Sequence, residues 1–413
     1  MKKRYLDIID PIHHFIRVFD TELKIIDSPI FQRLRRIRQL SGAHLTYPGA
    51  QHTRFEHSLG TMHIAGQAGL GLKEKNSLTS NDVDNLRLAG LLHDIGHGPF
   101  SHLFEEVIQQ KKKTSHEDYG KQLILKTEIG DFLNEAGLDK KLITKIAFGD
   151  SNYPFLNEII SGVLSADMMD YLLRDGYFTG AEHAKIDHLR IIHSLEIHQK
   201  KLALERSALY SFESMMHSRY QMFKAVYFHK TVRAAEVMLL ESLSLADDEF
   251  GFTSSTLEEY VKLTDEHVLS QIVSLSPNTS NLKKAQRYAQ DYLDRRLLKC
   301  VYERIVSDKN HLTKKTIFEL RSRISKKSKV DESDIFIDSS VTPSLPLAPS
   351  KKESKHILLI SKDNERVSAK DLPISQIPLV SAMAGFMNIL RVYTSENNRK
   401  KVEIAAKSIL GEL

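Results

Sequence analysis

Few stretches narrow the folding options of a chain as much as residues 88–102, Leu-Ala-Gly-Leu-Leu-His-Asp-Ile-Gly-His-Gly-Pro-Phe-Ser-His. An apolar run of helical character delivers His93 and Asp94 side by side, and Gly96, Gly98 and Pro99 then stop the helix. His97 and His102 follow on the broken segment. Histidine and aspartate are poor helix formers, and neither tolerates burial without a partner. Three His and an Asp within ten residues of a helix end therefore argue against a plain structural turn. Neutral imidazole together with ionised carboxylate suits a borderline or hard divalent metal. One solvated His–Asp pair beside a turn is the plainer alternative, and the clustering weighs against it.

The flanking sequence supplies helices that can converge on this point. Residues 1–20 read as an extended or hairpin lead-in turning at Asp10-Pro11. The spacing of Phe31, Leu34, Ile37 and Leu40 predicts a basic helix from Ser28-Pro29, ended by Gly42 and Pro48-Gly49. A second helix starts near Arg54 and carries His57 and His63. A third, capped at Ser80 or Asn81, ends in the His-Asp stretch. Residues 103–150 read as helical. Ile159, Ile160, Val163, Leu164, Met168, Tyr171 and Leu172 predict a buried helix over 157–175 that carries Asp167, Asp170, Arg174 and Asp175. Long helices are predicted over about 207–242 and 283–306, and strand-like segments at 186–205, 335–339, 356–361 and 389–394. The Ser/Pro-rich piece 339–350 reads as a linker or loop. The expected fold is mainly α, with a helical core and a smaller mixed α/β C-terminal lobe. Its expected divisions are a lead-in with the basic helix (1–45), the metal-dependent core (46–240), a helical extension (241–310) and the mixed lobe (311–413).

Composition restricts the function classes. With 413 residues, 41% hydrophobic and 27% charged, the chain has the make-up of a soluble globular protein. Its single cysteine, Cys300, excludes an intramolecular disulfide framework and fits a reducing cytosol. No run approaches the roughly 20 apolar residues of a membrane helix, and the N-terminus lacks a signal-peptide pattern. A cytoplasmic location away from membranes is expected. Fifty-eight Lys and Arg against 53 Asp and Glu give a net charge of +5, too mild to argue nucleic acid. Lys111-Lys112-Lys113 and Arg399-Lys400-Lys401 read as solvated faces, without interleaved aromatics. Nucleic acid is not the favoured partner.

His57, His93, Asp94 and Asp167 form one candidate set, each delivered by an apolar helix whose other face should be core. Their N and O ligands would leave open positions on an octahedral-type ion, as a catalytic site requires. Such an ion polarises a phosphoryl oxygen and acidifies water. Arg54, three residues before His57, shares its helix face and offers a fork-shaped cation to a phosphate. His97, His102 and His116 suit proton transfer near neutral pH, with Glu105 placed to orient His102. For His116, a helix N-cap region without chemistry is the alternative.

Four motifs together resemble a known family. They are Tyr-Pro-Gly-Ala-Gln-His-Thr-Arg-Phe-Glu-His-Ser-Leu-Gly (47–60), His-Asp-Ile-Gly-His-Gly-Pro-Phe-Ser-His (93–102), Ser-His-Glu (115–117) and Asp-Met-Met-Asp-Tyr-Leu-Leu-Arg-Asp (167–175). The chain resembles the HD-domain phosphohydrolases, and among them the deoxynucleoside triphosphate triphosphohydrolases, over roughly residues 7–305. The resemblance implies an HD-domain helical core and hydrolysis of dNTPs to deoxynucleoside and inorganic triphosphate. It assigns His57, His93, Asp94 and Asp167 as ligands of a divalent metal (Mn, Fe, Zn, Ni, Co or Mg). Arg54, His97, His102, Glu105 and His116 match phosphate-binding and catalytic positions. Gln39, Tyr171, Asp175, Arg219 and Tyr227 match contacts to the sugar and phosphates of the substrate. A tyrosine ring beneath the sugar would exclude a 2′-hydroxyl by shape.

The resemblance also implies regulation. Asp27, Gln32 and Arg35 match residues that read guanine in an allosteric site, and Arg295 and Lys299 match its phosphate contacts. Asp accepts from the N1 and N2 donors of guanine and Arg donates to its O6. GTP or dGTP would then bridge subunits and stabilise a homo-oligomer, a tetramer or dimer. Met168, Phe228, Leu6 and Ala225 depart from the family pattern and leave base selectivity and strict nucleotide activation open. A nucleotidase or a cyclic- or signalling-nucleotide phosphodiesterase of the same superfamily is the alternative. Gly98-Pro99 stands where guanosine-tetraphosphate hydrolases carry Glu-Asp, which argues against that branch. A nucleotide sensor without turnover is the third possibility.

Overall fold

The structure is a computed structural model, and it describes residues 5–306, 313–340, 356–363, 366–383 and 388–411. The chain opens with an antiparallel hairpin of β1 (Tyr5–Asp10) and β2 (His14–Phe19). Asp10 closes its turn by accepting from the backbone N–H of Ile12 and of His13, both at 2.9 Å. The predicted helix through Leu40 is shorter than its apolar spacing suggests. Pro29–Gln32 is α-helical and Arg33–Arg36 a 3₁₀ turn, after which Ile37 is extended. Long-range partners take over the backbone there: Arg38 bridges Thr53, Gln39 N–H donates to the His52 carbonyl, and Arg54 N–H donates to that of Ile37.

The helices of the first half start where the capping chemistry places them. Thr53 and Glu56 form a capping box for Arg54–Glu74; for Ser80–Leu92 the cap is Thr79, paired with Asp82, and not Ser80 or Asn81 as expected, since the Thr79 hydroxyl is the one that accepts the Asp82 N–H. Helices follow at His102–Lys111, His116–Lys126, Glu128–Glu135, Lys140–Ala147, Pro154–Ser161 and Ala166–Thr179. The predicted buried helix over 157–175 is thus two, parted at Gly162. The inward faces of all of these helices but His102–Lys111, with the first hairpin, enclose one large apolar core that includes Phe31, Leu59, Leu91, Ile95, Ile146 and Met169.

The predicted long helix over 207–242 is also divided. Leu209–Met222 runs into a π-helical turn, Phe223–Tyr227, and Lys230–Phe250 restarts behind the His229 side-chain cap. Asp265–Val273 and Ser280–Leu293 pack around Lys230–Phe250 to make a second core. The helix expected to reach residue 306 stops at Leu293, because Arg295 takes a left-handed φ of +56° and Lys299–Val306 becomes a strand.

Two sheets complete the fold. β3 (Leu195–His198), β4 (Lys201–Glu205), β7 (His356–Asp363) and β8 (Arg366–Pro373) lie side by side in that order, with β4 and β7 parallel. β5 (Lys299–Val306), β9 (Asn388–Thr394) and β6 (Ile335–Ser340) form the other, backed by helices Lys314–Ser328 and Arg399–Leu410. The expected loop at 339–350 lies, from residue 341 on, outside the described residues. The architecture is mainly α with a smaller C-terminal region of mixed sheets. Ile95 belongs to the first core and Phe100 to the second, so the His-Asp loop lies on the seam between them.

Candidate active site

Three helices bring the expected metal ligands together. His57 is in the first turn of Arg54–Glu74, His93 and Asp94 end Ser80–Leu92, and Asp167 lies in the first turn of Ala166–Thr179. His57 Nε2 is 3.2 Å from His93 Nε2 and 3.1 Å from Asp167 Oδ1. Asp94 stands 3.4 Å from His93 Nε2 and 3.6 Å from His57 Nε2. Ligands at right angles on one ion, each bound at about 2.1 Å, are about 3.0 Å apart, so these spacings fit a shared cation. His57 Nδ1 faces Asp170 Oδ2 at 2.8 Å and His93 Nδ1 faces the Gly90 carbonyl at 2.8 Å. With an acceptor at each Nδ1, both Nε2 atoms face the carboxylates of Asp94 and Asp167, and each can offer its lone pair to a shared cation once any proton on it has left. Burial opposes a charge on His57, yet the carboxylates of Asp167 and Asp170 push its pKa up to about 10.

Behind the candidate ligands lies a buried ionic chain that the sequence reading left without a role. Asp170 also accepts from His13 Nε2 at 2.7 Å and from Arg174 Nε and Nη2, both at 2.9 Å, and Arg174 Nη1 donates to Asp10 at 2.8 Å. Burial disfavours the Asp170 charge, but Arg174 outweighs it and holds the carboxyl well below the usual range. Gly60 makes this approach possible, since a Cβ there would lie 1.8 Å from Asp170 Oδ1. The one signal available was spacing: Asp170 follows Asp167 by three residues on the same helix.

The expected proton-transfer group is also assembled. His97 stacks on His116 with ring centres 3.9 Å apart, and His102 meets His97 edge-on at 4.9 Å. Glu105 holds two of them: Oε2 is 3.2 Å from His102 Nδ1, while Oε1 is 2.9 Å from His116 Nδ1 and accepts that residue's backbone N–H. Burial raises the Glu105 pKa, but the two imidazoles overcome it and keep the group ionised. His97 differs. It is buried, with Nε2 3.3 Å from Asp94, and burial with the Arg54 charge depresses its pKa well below the ordinary value. His102 is 70% exposed and open to a ligand. Ligand atoms of His97, His102 and His116 all lie within 4.8 Å of one another, as do those of His57, His93 and Asp167. Gly96 allows the His116 helix this close, since a Cβ there would stand 2.0 Å from the His116 carbonyl oxygen.

Arg54 is committed differently from expectation. Its Nη1 donates to Asp94 Oδ2 at 2.5 Å and its Nε to the Ser101 hydroxyl at 2.9 Å, so it would meet a phosphate only as part of that pair. The substrate positions form two linked groups beside Asp167. Arg219 donates to the Tyr171 hydroxyl. Asp175 accepts from the Tyr227 hydroxyl and from His52 Nε2, both at 2.7 Å. The π-helical turn gives Tyr227 this aim, and His52, stacked on Phe178 at 4.8 Å, is a further residue the sequence reading missed. Gln39 is tied to the same strand bridge, and its buried Oε1 has no hydrogen-bond partner among the described residues.

The positions expected to bind an allosteric nucleotide fall in two places within one chain. Asp27 is exposed at the end of helix Asp20–Asp27, while Gln32 accepts from Arg35 Nε at 2.9 Å and Arg35 covers the Phe55 ring at 3.4 Å. Arg295 and Lys299 instead line a cleft of about 720 Å³, with Arg287, Arg296, Glu396 and Asn398. Asp27, Gln32 and Arg35 are not among the residues lining that cleft. Among the described residues no helix is long and apolar enough to cross a membrane.

Comparison with known proteins bears on both halves. Residues 54–174 match the model of the HD domain, and residues 186–411 match that of the HD associated region. An uncharacterized protein of Bacillus subtilis is 36% identical over 281 residues, 63% of this chain and 64% of that protein. An uncharacterized protein of Methanocaldococcus jannaschii is 34% identical over 382 residues, 89% of this chain and 75% of that one. The deoxynucleoside triphosphate triphosphohydrolase SAMHD1 of Homo sapiens is 31% identical over 346 residues, covering 72% of this chain but 55% of its own length. The crystal structure of a hypothetical protein from Aquifex aeolicus superposes with a TM-score of 0.78 at 28% identity, spanning 97% of this chain and 100% of that one.

Proposed function

Since this chain belongs to the HD-domain family, on its dNTPase-like side, we propose that it hydrolyses deoxynucleoside triphosphates to deoxynucleoside and inorganic triphosphate. The chain is an HD-domain phosphohydrolase related to the SAMHD1 dNTPases. The observation that carries this reading is the meeting of two Nε2 atoms 3.2 Å apart with the carboxylates of Asp94 and Asp167, beside a carboxylate-held imidazole group. His57, His93, Asp94 and Asp167 would hold the divalent ion. When bound, such an ion polarises a phosphoryl oxygen and lowers the pKa of water.

The chain's own residues do the rest. Water attacks the α-phosphorus, the bond from phosphorus to the 5′-oxygen breaks, and the departing oxygen takes a proton. His102 is placed to deliver that proton from its exposed ring, which Glu105 orients through Nδ1. Buried His97 stays neutral and screens Asp94 from water. Arg219 and Tyr171 would meet the phosphates, while Tyr227, fixed by Asp175, would lie against the sugar and reject a 2′-hydroxyl. The buried open oxygen of Gln39 suits a sugar hydroxyl. Regulation belongs to the same reading. Arg295 and Lys299 of one copy would hold the phosphates of GTP or dGTP whose guanine meets Asp27, Gln32 and Arg35 of a second, joining copies into a dimer or tetramer. The half-buried, single cysteine fits a cytoplasmic setting.

The test is product identity. Metal-loaded protein is incubated with each dNTP and Mn²⁺, with and without GTP, and the His93→Ala/Asp94→Ala double variant serves as the blank. Triphosphate released only by the wild type is the expected result. Pyrophosphate or single phosphate as the only product would refute the reading.

A further inference from the structure

The loop between Asp94 and the helix of His102 is held in an unfavourable shape from outside. Phe100 and Ser101 both adopt φ of +55°, a left-handed conformation that non-glycine residues take only where their surroundings impose it. Asp265, the first residue of helix Asp265–Val273, imposes it. Its carboxylate is wholly buried, Oδ1 accepts from the Phe100 N–H at 2.7 Å, and Oδ2 accepts from the Arg38 N–H at 3.0 Å. Other groups close the loop from the same side. The Ser41 hydroxyl donates to the Phe100 carbonyl at 2.7 Å, Tyr292 to Ser41 at 2.7 Å, and Tyr260 to the Gly96 carbonyl at 2.7 Å.

What the loop delivers is the catalytic geometry. The Ser101 hydroxyl donates to the Arg38 carbonyl at 3.0 Å and accepts from Arg54 Nε at 2.9 Å, and Arg54 in turn holds Asp94. Ser101 also starts the helix that carries His102 and Glu105. Both halves of the centre, the Asp94 side and the imidazole side, therefore hang from the two residues that Asp265 clamps.

We propose that Asp265 is a positioning residue of the hydrolytic centre: by holding the N–H groups of Phe100 and Arg38 at once, it fixes Ser101 where Arg54 is aimed onto Asp94 and where the helix of His102 and Glu105 begins. The proposal rests on the reading of this centre as a phosphohydrolase, and goes beyond it by giving the C-terminal associated region a part in the chemistry. The two N–H groups need two acceptor oxygens. A carboxylate has them, whereas an amide of the same size offers one acceptor and turns a donor against the other N–H. A purely space-filling role would tolerate that exchange.

Asp265→Asn in the full chain is compared with wild type and with Glu266→Gln, the neighbouring exposed charge that lies 3.3 Å from the Arg38 guanidinium instead of its backbone. The expected result for Asp265→Asn is a kcat lowered at least tenfold with KM within threefold, Mn²⁺ affinity weakened severalfold, and backbone amide exchange accelerated at least tenfold at Arg38 and in 95–104, and not elsewhere in the core. Glu266→Gln should match wild type. Wild-type kcat with unchanged exchange in 95–104 would overturn the proposal. So would an acceleration spread evenly over the whole core, which marks simple destabilisation. If wild type releases no triphosphate from any dNTP, the substrate reading fails, while exchange and Mn²⁺ affinity still decide the role of Asp265. Should Asp265→Asn not fold, Asp265→Ser, which keeps a single acceptor, takes its place with the same outcomes.

Discussion

Replacing Asp170 by Asn should weaken divalent-metal binding at the proposed centre, although Asp170 is not among the proposed ligands. The carboxylate accepts from His57 Nδ1, His13 Nε2 and two nitrogens of Arg174, and it is fully buried. If the new amide turns its NH₂ toward His57, the imidazole moves its proton to Nε2, the nitrogen that must ligate. If it turns its oxygen there, the NH₂ opposes Arg174. Losing the outer partner of a metal-bound histidine weakens metal binding about 10- to 100-fold, or about 1.4–2.7 kcal/mol. Removing one member of a buried ion pair costs about 3–5 kcal/mol of stability. Arg174 keeps Asp10 at 2.8 Å, so the low end of that range is expected. Titration of metal-stripped protein with Mn²⁺ by calorimetry measures the first effect, and the unfolding midpoint in denaturant measures the second. A folded Asp170→Asn protein with Mn²⁺ affinity within twofold of wild type would refute the reasoning that the ion pair sets the tautomer of His57.

Three further outcomes follow from the same geometry. In the metal-free protein the raised pKa of His57, about 10, makes its charge a source of stability that is full below about 6.5 and lost as pH rises through about 10. Metal must displace that proton, so calorimetry at pH 7 in buffers of different ionisation enthalpy should show about one proton released per ion, and affinity should fall as pH is lowered. His102→Ala should slow turnover by about 10²–10⁴ with metal content unchanged, since it removes a proton donor and no ligand; a rate within threefold of wild type would move the acid to His116. Tyr227→Ala should lower the dNTP over NTP preference by about 10- to 100-fold in competition between dATP and ATP, the range one steric contact provides.

The parts of the fold that were legible in the sequence are those fixed by local chemistry. Thr53 with Glu56 and Ser115 with Asp118 announce their helices, and the break after Asp94 follows from Gly96, Gly98 and Pro99. The ligand helices were readable for the same reason, because His57, His93 and Asp167 each belong to a strongly apolar helix. What escaped is decided far along the chain. The basic segment stops being helical at Ile37 because Asp265 and Thr53 claim its backbone, and neither partner is visible in residues 28–40. Likewise Lys299–Val306 has a pattern that a helix could also carry, and it is a strand only because β9 and its sheet lie beside it. Asp170 and His52 were missed because their roles exist only across helices, in contacts with His57, Arg174 and Asp175.

The parallel pairing of β4 with β7 has a consequence for the order in which this protein can be made. Ala203 pairs with Leu358, about 150 residues later in the chain, and the apolar residues of β7 and of helix Pro378–Met383 belong to the same core as His57's helix. On the ribosome, every helix of the catalytic half emerges before the strand that closes its sheet. Until β7 arrives, β4 presents an open edge able to pair with the same strand of another nascent chain. Synthesis at high polysome density should therefore lean on a holding chaperone, and chains stalled near residue 340 should aggregate through β4.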